Sequence, residues 1–224
     1  MSKLYVIATP IGHLEDISFR ALRILKEADL ILCEDTRVTR KLLNHYQISK
    51  PTISYHQHSR LTKLKYISGQ LEQDKKLALV SDAGTPLISD PGAKLISYLI
   101  ERLSNLKIIP VPGPSALATI LSIAGFPVDR FTFLGFPPNK KKRKKFFQGV
   151  INSKYPVIFY ESPHRIIKSL EELDELRATK YELRIVVGRE LTKKFETIYR
   201  GNVKQVIEQI KKDKIKGEFV VVVK

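Results

Sequence analysis

Short apolar runs alternate with amphipathic segments along the first half of the chain. Apolar runs that are typical of buried strands lie at 3–8, 30–33, 52–55 and 77–80, and a further one begins at Lys107. Apolar residues at helical spacing predict helices from Ser18 to about Ala28, through Leu42 and Leu43, and from Leu61 to Leu71. This repeated βα pattern predicts a mostly parallel sheet with right-handed crossovers.

The second half is also α/β in pattern, but its alternation is less regular. Strands are predicted at 131–136, 155–160, 181–188, 195–199 and 216–223. Helices are predicted to begin at Ser115, which opens an apolar segment running to about Ala124, after Arg165, and at Asn202, which has the side chain of an N-cap. The change in pattern becomes clear after Gly125–Pro127, and we place the domain boundary near Gly113, which predicts two α/β domains, residues 1–113 and 114–224.

The stretch from Leu77 to Gly92 has the pattern of a strand, a turn-rich loop and a helix that Asp90 caps and Pro91 opens. In α/β sheets such loops lie where ligands approach backbone N–H groups and helix N-termini. A plain βα connection explains this stretch equally well. The segment from Lys107 to Ala116 repeats the design with a Pro/Gly turn, so we expect two loops from neighbouring strands to meet over one small molecule.

The composition is that of a folded protein with a large excess of positive charge. The 224 residues are 43% hydrophobic and 28% charged, and 39 Lys and Arg against 23 Asp and Glu give a net charge of +16. This excess favours a polyanionic partner such as an RNA or DNA backbone. A lysine-rich, AT-biased proteome is the alternative explanation.

The same composition bears on cellular location. Cys33 is the only cysteine, which excludes an internal disulfide and is typical of a reducing compartment. No apolar run approaches the roughly 20 residues that span a bilayer. The N-terminus has the pattern of a strand rather than of a signal peptide. We therefore expect a cytoplasmic protein that does not enter a membrane.

Six consecutive cations occupy positions 140–145, between two prolines and the pair Phe146 and Phe147. A run of like charges packs poorly, which predicts a mobile loop or a frayed helix start. The functional interpretation is an arm that neutralises phosphates while the phenylalanines anchor it or stack on bases. The alternative is a solvated surface above core phenylalanines. The net charge favours the arm, whose cations are Lys140, Lys141, Lys142, Arg143, Lys144 and Lys145.

Several common chemistries lack their sequence motifs. No Gly-x-Gly-x-x-Gly, Walker A loop, His-Glu-x-x-His or serine elbow occurs. His56 and His58 alone make a weak metal case, so no metal is expected and a polar rim is the better interpretation. Each polar residue just past a predicted strand end is explained, taken alone, by a salt bridge or a helix cap. Taken together, these residues predict a polar, partly cationic cleft. They are Glu34, Asp35, Arg37, His56, Asp82, Ser115, Glu161, His164, Arg165, Arg189, Glu190 and Lys193.

Seven motifs in the same order resemble the bacterial small-subunit ribosomal RNA cytidine 2′-O-methyltransferases of the tetrapyrrole methylase superfamily: Thr9–Gly12, Cys33–Arg37, Ser54–His58, Ser81–Gly92, Pro112–Ala116, Tyr160–Arg165 and Arg189–Lys193. The resemblance implies two α/β domains with S-adenosyl-L-methionine in the cleft between them, usually in a homodimer. It also implies a cytidine ribose in the decoding region of 16S rRNA, within the 30S subunit, as the methyl acceptor.

Carried over position by position, the resemblance implies a set of cofactor-binding residues: Ile11, Gly12, Ala83, Gly84, Thr85, Ile88, Ser115, Ala116 and Leu191. The Gly-x-Gly-Pro-Gly-Asp start of the tetrapyrrole enzymes is replaced here by the residues from Ala8 to His13, which argues against a porphyrin substrate. Many RNA-modifying relatives extend past the last strand, whereas this sequence ends at Lys224, so the mode of RNA docking is left open.

For the reaction, Asp35 or Glu161 is expected to take or orient the proton of the ribose hydroxyl. Cations at the strand ends would hold flanking phosphates together with the 140–145 run, namely Arg37, His56, Arg165 and Lys193. Two alternatives remain open at this point. One is a methyltransferase of the same superfamily that acts on a small molecule or a protein, and the other is a non-catalytic rRNA-binding factor.

Overall fold

A computed structural model describes residues 2–56, 59–177 and 182–224. The chain divides after Ser115 into two compact units, which we call the N-terminal unit and the C-terminal unit. The sequence places this boundary near Gly113. His58 and Tyr181, which belong to predicted elements, lie outside the described residues.

The N-terminal unit is built on a five-stranded parallel sheet with the strand order β3-β2-β4-β1-β5. Its strands are β1 (Lys3–Ile7), β2 (Leu30–Cys33), β3 (Thr52–Ser54), β4 (Lys76–Val80) and β5 (Lys107–Val111). Its helices are α1 (Phe19–Glu27), α2 (Thr36–His45), α3 (Leu61–Glu72) and α4 (Ala93–Arg102), with a 3₁₀ turn at Leu14–Asp16. The predicted parallel sheet is confirmed.

Two apolar clusters lie on the two faces of this sheet, because successive side chains of a strand point to opposite faces. Ile31 and Cys33 of β2 pack with residues of α1 and α2, whereas Leu30 and Leu32 pack with residues of α3 and α4. The inner strands β2 and β4 are therefore buried on both sides, which leaves the loops at the carboxyl ends of the strands as the place for chemistry.

The C-terminal unit contains a mixed five-stranded sheet with the order β6-β7-β10-β8-β9. Only β6 and β7 are parallel, and the other neighbours are antiparallel. Its strands are β6 (Thr132–Phe133), β7 (Val157–Glu161), β8 (Arg184–Arg189), β9 (Thr197–Asn202) and β10 (Phe219–Val223). Its helices are α5 (Ala116–Ser122), α6 (Arg143–Ile151), α7 (Ile166–Leu176) and α8 (Val203–Lys211).

One apolar cluster fills the C-terminal unit between the sheet and helices α6, α7 and α8. All five residues of the central strand β10 are buried. The predicted cap of α8 is confirmed, since Asn202 accepts the N–H of Gln205 and the Gln205 side chain accepts the N–H of Asn202.

Two predicted element boundaries are wrong for reasons of backbone geometry. Helix α4 begins at Ala93 and not at Asp90, because the preceding loop turns through positive φ at Leu87 (74°), Ser89 (68°) and Gly92 (146°). Strand β6 is shorter than predicted, and Gly135 (φ 63°) turns the chain just beyond it.

Candidate functional site

The loops that follow β1, β4 and β5 are joined to one another at the carboxyl end of the parallel sheet. Thr9 and Gly84 exchange two backbone hydrogen bonds, of 2.9 and 3.0 Å. The Thr85 hydroxyl donates to the carbonyl oxygen of Pro114 at 3.1 Å. The N–H of Ala8 donates to the carbonyl oxygen of Val111 at 3.1 Å. The structure therefore brings the Gly84 segment against the residues that precede Ser115.

The expectation that these loops follow neighbouring strands is wrong. Strand β1 lies between β4 and β5 in the sheet. The loop after β1 therefore contributes directly to the junction, with Thr9 bonded to Gly84 and its hydroxyl donating to the carbonyl oxygen of Ser81 at 3.1 Å.

Small residues are required where these loops approach one another. A Cβ atom on Gly84, whose φ is 81°, would lie 3.3 Å from Cγ2 of Ile11 and 3.8 Å from the carbonyl oxygen of Pro114. A Cβ atom on Gly113 would lie 3.1 Å from that of Ala8. The junction is thus a close approach of three backbones, which small residues at these positions permit.

The other cofactor-binding candidates of the N-terminal unit line this junction to different extents. Ile11 and Gly84 are buried and support it, whereas Thr85 and Ser115 are half-buried. Exposed positions among the candidates are Gly12, Ala83 and Ile88.

Acidic residues gather beside this junction at the ends of β2 and β4. The N–H of Asp35 donates to Oδ1 of Asp82 at 2.9 Å. Burial, and then the negative charge of Asp82, raise the pKa of Glu34, while the nearby His56 lowers it. The structure therefore brings together Glu34, Asp35, Asp82 and His56 from three strand ends.

Asp35 also bonds to Arg37, through both the backbone and the side chain of that residue. It caps helix α2 by accepting the N–H of Arg37 at 2.8 Å, and the Arg37 guanidinium contacts both carboxylate oxygens at 2.6 to 3.2 Å. These hydrogen bonds from Arg37 lower the pKa of Asp35 to about 2. Asp35 is therefore ionised at neutral pH and remains partly accessible.

Glu161 lies at the end of β7 and its side chain has no exposed surface. One carboxylate oxygen accepts the N–H of Ser162 and pairs with Arg165, each at 2.8 Å. The other accepts the Ser169 hydroxyl at 2.5 Å. A general base must reach the proton that it takes. Because both carboxylate oxygens of Glu161 are buried and already bonded within the protein, the expectation that Glu161 acts as a base is corrected.

The cationic run contains the start of a helix, which is one of the two structures predicted for it. Helix α6 begins at Arg143, whose side chain is 7% exposed and lies over the Phe147 ring, with 4.9 Å between its Cζ and the ring centroid. The prediction that Arg143 binds RNA is therefore wrong, since its guanidinium is buried. Phe147 is fully buried and anchors the helix, as one of the two alternatives held.

The remaining cations of the run are exposed: Lys140, Lys141, Lys142, Lys144 and Lys145. Three other cations predicted for RNA differ from these because each has a carboxylate partner. Arg37 pairs with Asp35 and Arg165 with Glu161, and Lys193 contacts Glu190 at 2.9 Å and Glu218 at 2.8 Å. His56 is exposed.

The loop after β8 carries Leu191, the remaining cofactor candidate, together with two residues of positive φ, Glu190 (49°) and Thr192 (63°). Leu191 is buried. A Cβ atom on Gly188 would lie 2.8 Å from Cδ2 of Leu191 and 2.9 Å from Cδ1 of Ile120. Gly188 therefore leaves the space that Leu191 fills. Ala116, the other cofactor candidate of the C-terminal unit, is the first residue of α5 and is half-buried.

Two kinds of feature are absent from the residues that the structure describes. Within them, no group of three or more His, Cys, Asp and Glu side chains is arranged to hold a metal ion. No helix in the same ranges combines the length and apolar character that crossing a membrane requires.

The fold and the matched sequence define a class of protein. Residues 3–207 match the model of the tetrapyrrole (corrin/porphyrin) methylases, and the chain belongs to this family. Two solved structures share the fold at 18% identity, namely the methyltransferase CobJ, with a TM-score of 0.71 over 100% of this chain and 94% of that one, and the cobalt precorrin-4 methyltransferase CbiF, with a TM-score of 0.72 over 99% and 94%.

Curated relatives that carry the name ribosomal RNA small subunit methyltransferase I match over nearly the whole chain. The protein of Halalkalibacterium halodurans is 42% identical over 98% of this chain and 75% of its own length. That of Thermotoga maritima is 40% identical over 99% and 98%, and that of a Hydrogenobaculum species is 45% identical over 98% and 94%. The family resemblance inferred from the motifs is confirmed.

Proposed function

We propose that the protein transfers a methyl group from S-adenosyl-L-methionine to the 2′-hydroxyl of a cytidine ribose in the decoding region of 16S rRNA. The observation that carries this proposal is the junction in which Gly84 and Pro114 meet beside Ile11, with the carboxylate of Asp35 close to the same sheet edge. Relatives that match over nearly the whole chain are named for methylation of small-subunit ribosomal RNA.

The residues at this junction fit a bound nucleoside cofactor. Gly84 is buried, with its N–H and its carbonyl oxygen both bonded to Thr9, and Thr85 fixes the loop to Pro114. We propose that the exposed Ala83 beside this junction contacts the cofactor. S-adenosyl-L-methionine supplies an electrophilic methyl group on a sulfonium. Ala116 and Leu191 of the C-terminal unit are also proposed as cofactor-binding residues.

Asp35 is the residue that we propose to act on the acceptor hydroxyl. Its low pKa keeps it ionised, so that it accepts a hydrogen bond from a ribose 2′-hydroxyl and orients the oxygen for in-line attack. Positioning of this kind supplies about 7–11 kcal/mol in favourable cases, which is more than a weak base of this pKa contributes. Glu161 has no part in this step.

The exposed lysines between residues 140 and 145 are proposed to bind phosphates of the RNA, and His56 to lie beside the acceptor nucleotide. Arg37, Arg165 and Lys193 are proposed as secondary phosphate contacts, since each one first neutralises a carboxylate. The net charge of +16 favours association with such a polyanion. Further proposals are the 30S subunit as the form of the substrate, a homodimer and a cytoplasmic location.

A methyl-transfer assay tests the proposal. Purified protein is incubated with tritiated S-adenosyl-L-methionine and either 30S subunits or naked 16S rRNA, both from cells lacking the modification, and the labelled nucleotide is mapped. The expected result is label on the 2′-oxygen of one cytidine in the decoding region. Label on a small molecule or a protein, or RNA binding without any transfer, would refute the proposal.

A further inference from the structure

A buried polar cluster lies beneath the start of helix α6 in the C-terminal unit. The Arg143 guanidinium donates to Glu172 at 2.7 Å and to the Ser169 hydroxyl at 2.6 Å. Ser169 in turn donates to Glu161 at 2.5 Å, and a nitrogen of Arg143 lies 3.8 Å from the same Glu161 oxygen. Glu161 is therefore shared between Arg143 and Arg165, which pairs with its other oxygen at 2.8 Å.

Both arginines also reach the segment that precedes the exposed lysines. Arg143 donates to the carbonyl oxygen of Pro138 at 3.1 Å, and Arg165 donates to that of Pro137 at 3.3 Å and to the side-chain oxygen of Asn139. Pro137 and Pro138 have no backbone N–H, so they can take part in hydrogen bonds only as acceptors. The two arginines supply the donors for their carbonyl oxygens and thereby fix this segment.

Lys140, Lys141 and Lys142 follow directly and are exposed, with Lys142 in the left-handed region at φ 66°. Adjacent like charges repel one another and favour a loose chain. The cluster opposes this tendency, because it holds the segment at Pro137–Asn139 on one side and at Arg143 on the other.

We infer that Glu161 is a positioning residue, the central anion of a clamp made with Arg143 and Arg165 that presents the lysines of the 140–142 segment to RNA phosphates in a fixed arrangement. The inference rests on the proposed function for the identity of the ligand. A segment ordered in advance loses less conformational entropy on binding, so the clamp increases affinity for RNA without contacting it. The clamp itself is independent of the cofactor.

The first test measures order in the segment. In Glu161→Gln, amide hydrogen exchange of a peptide covering residues 137–142 is expected to speed up at least fivefold. Asn139→Ala removes one clamp contact at an exposed position and leaves no buried charge, so it is expected to act in the same direction even if Glu161→Gln folds poorly. Glu171→Gln, in which the lost partner is the exposed Lys211, is the matched control and should not change the exchange. Unchanged exchange in both clamp variants would overturn the inference.

The second test separates positioning from general damage to the fold. Steady-state methyl transfer should show a KM for RNA raised several-fold in Glu161→Gln and Asn139→Ala, with kcat and the KM for S-adenosyl-L-methionine unchanged. When Lys140, Lys141 and Lys142 are all replaced by Ala, adding either clamp substitution should raise the KM no further. Additive effects in that background would refute a role through the lysines.

The two proposals fail in different ways. If the wild-type protein transfers no methyl group to RNA and does not bind it, the proposed function fails while the exchange experiment still reports on the clamp. If the wild-type protein methylates RNA and the segment loosens in the variants without any change in RNA KM, the positioning inference alone is refuted.

Discussion

The hydroxyl of Thr85 and the carbonyl oxygen of Pro114 are joined by a 3.1 Å hydrogen bond, although they are 29 residues apart in the sequence. This bond links the loop after β4 to the loop after β5, across the end of the intervening strand β1. Because the bond lies beside Gly84, it sets the separation between the two backbones proposed to hold the cofactor.

Thr85→Val keeps the shape of the side chain and removes this bond. A typical hydrogen bond contributes about 1 kcal/mol, so the Kd for S-adenosyl-L-methionine should rise about fivefold. Isothermal titration calorimetry measures the change, and Thr85→Ser, which retains the hydroxyl, should bind nearly as the wild type does. An unchanged Kd in Thr85→Val would show that the bond does not shape the cofactor site.

Asp35 and Arg37 are expected to affect different kinetic constants. Asp35→Asn removes the carboxylate that orients the acceptor and should lower kcat, on the order of 10²-fold. Arg37→Gln leaves Asp35 ionised at neutral pH and should instead raise the KM for RNA. Steady-state kinetics on 30S subunits distinguish the two, and equal kcat values for Asp35→Asn and the wild type would exclude the proposed role.

The ionisation of Asp35 gives a pH prediction with a definite sign. Its folded pKa of about 2 lies below the ordinary 3.8, so its stabilising effect is fully present above pH 4 and is lost as pH falls toward 2. NMR titration of the carboxyl carbon should show this low midpoint. In Arg37→Gln the midpoint should rise toward the ordinary value, and the neighbouring carboxylates of Asp82 and Glu34 favour the same direction. A midpoint that stays near 2 would assign the shift to another cause.

The exposed lysines should determine much of the salt dependence of RNA binding. Replacing Lys140, Lys141 and Lys142 by Ala should reduce the slope of log K against log salt by about 2, if each lysine neutralises one phosphate of single-stranded RNA. The matched control replaces three exposed lysines elsewhere in the same unit, Lys204, Lys212 and Lys214. Filter binding over a salt series measures both slopes, and equal reductions would point to net charge alone.

Gly188→Ala tests the packing of Leu191. The added Cβ would lie 2.8 Å from Leu191 and 2.9 Å from Ile120, so the free energy of unfolding should fall by about 1–3 kcal/mol. Binding of S-adenosyl-L-methionine should weaken as Leu191 shifts. Gly149→Ala is the control, since a Cβ there meets nothing within 4 Å in helix α6 and should stabilise by up to about 1 kcal/mol. Urea denaturation measures both, and a neutral Gly188→Ala would contradict the packing argument.

The sequence by itself determined the architecture of each unit and the loops at which chemistry occurs. Apolar runs such as Leu30–Cys33 predict strands, and local spacing and capping predict helices such as the one that Asn202 opens, because periodicity and caps depend on neighbours along the chain. The motifs at the strand ends were sufficient for the family.

Only the tertiary structure decided which polar side chains are accessible. Asp35 and Glu161 both follow a strand end, and nothing local distinguishes them, yet Asp35 is partly accessible and Glu161 is buried between Arg143 and Arg165. Arg143 stands among five exposed lysines in sequence, and its burial depends on Glu172 and Ser169 of helix α7. Burial and ion pairing arise from contacts between residues distant in the chain, so no local pattern of residues encodes them.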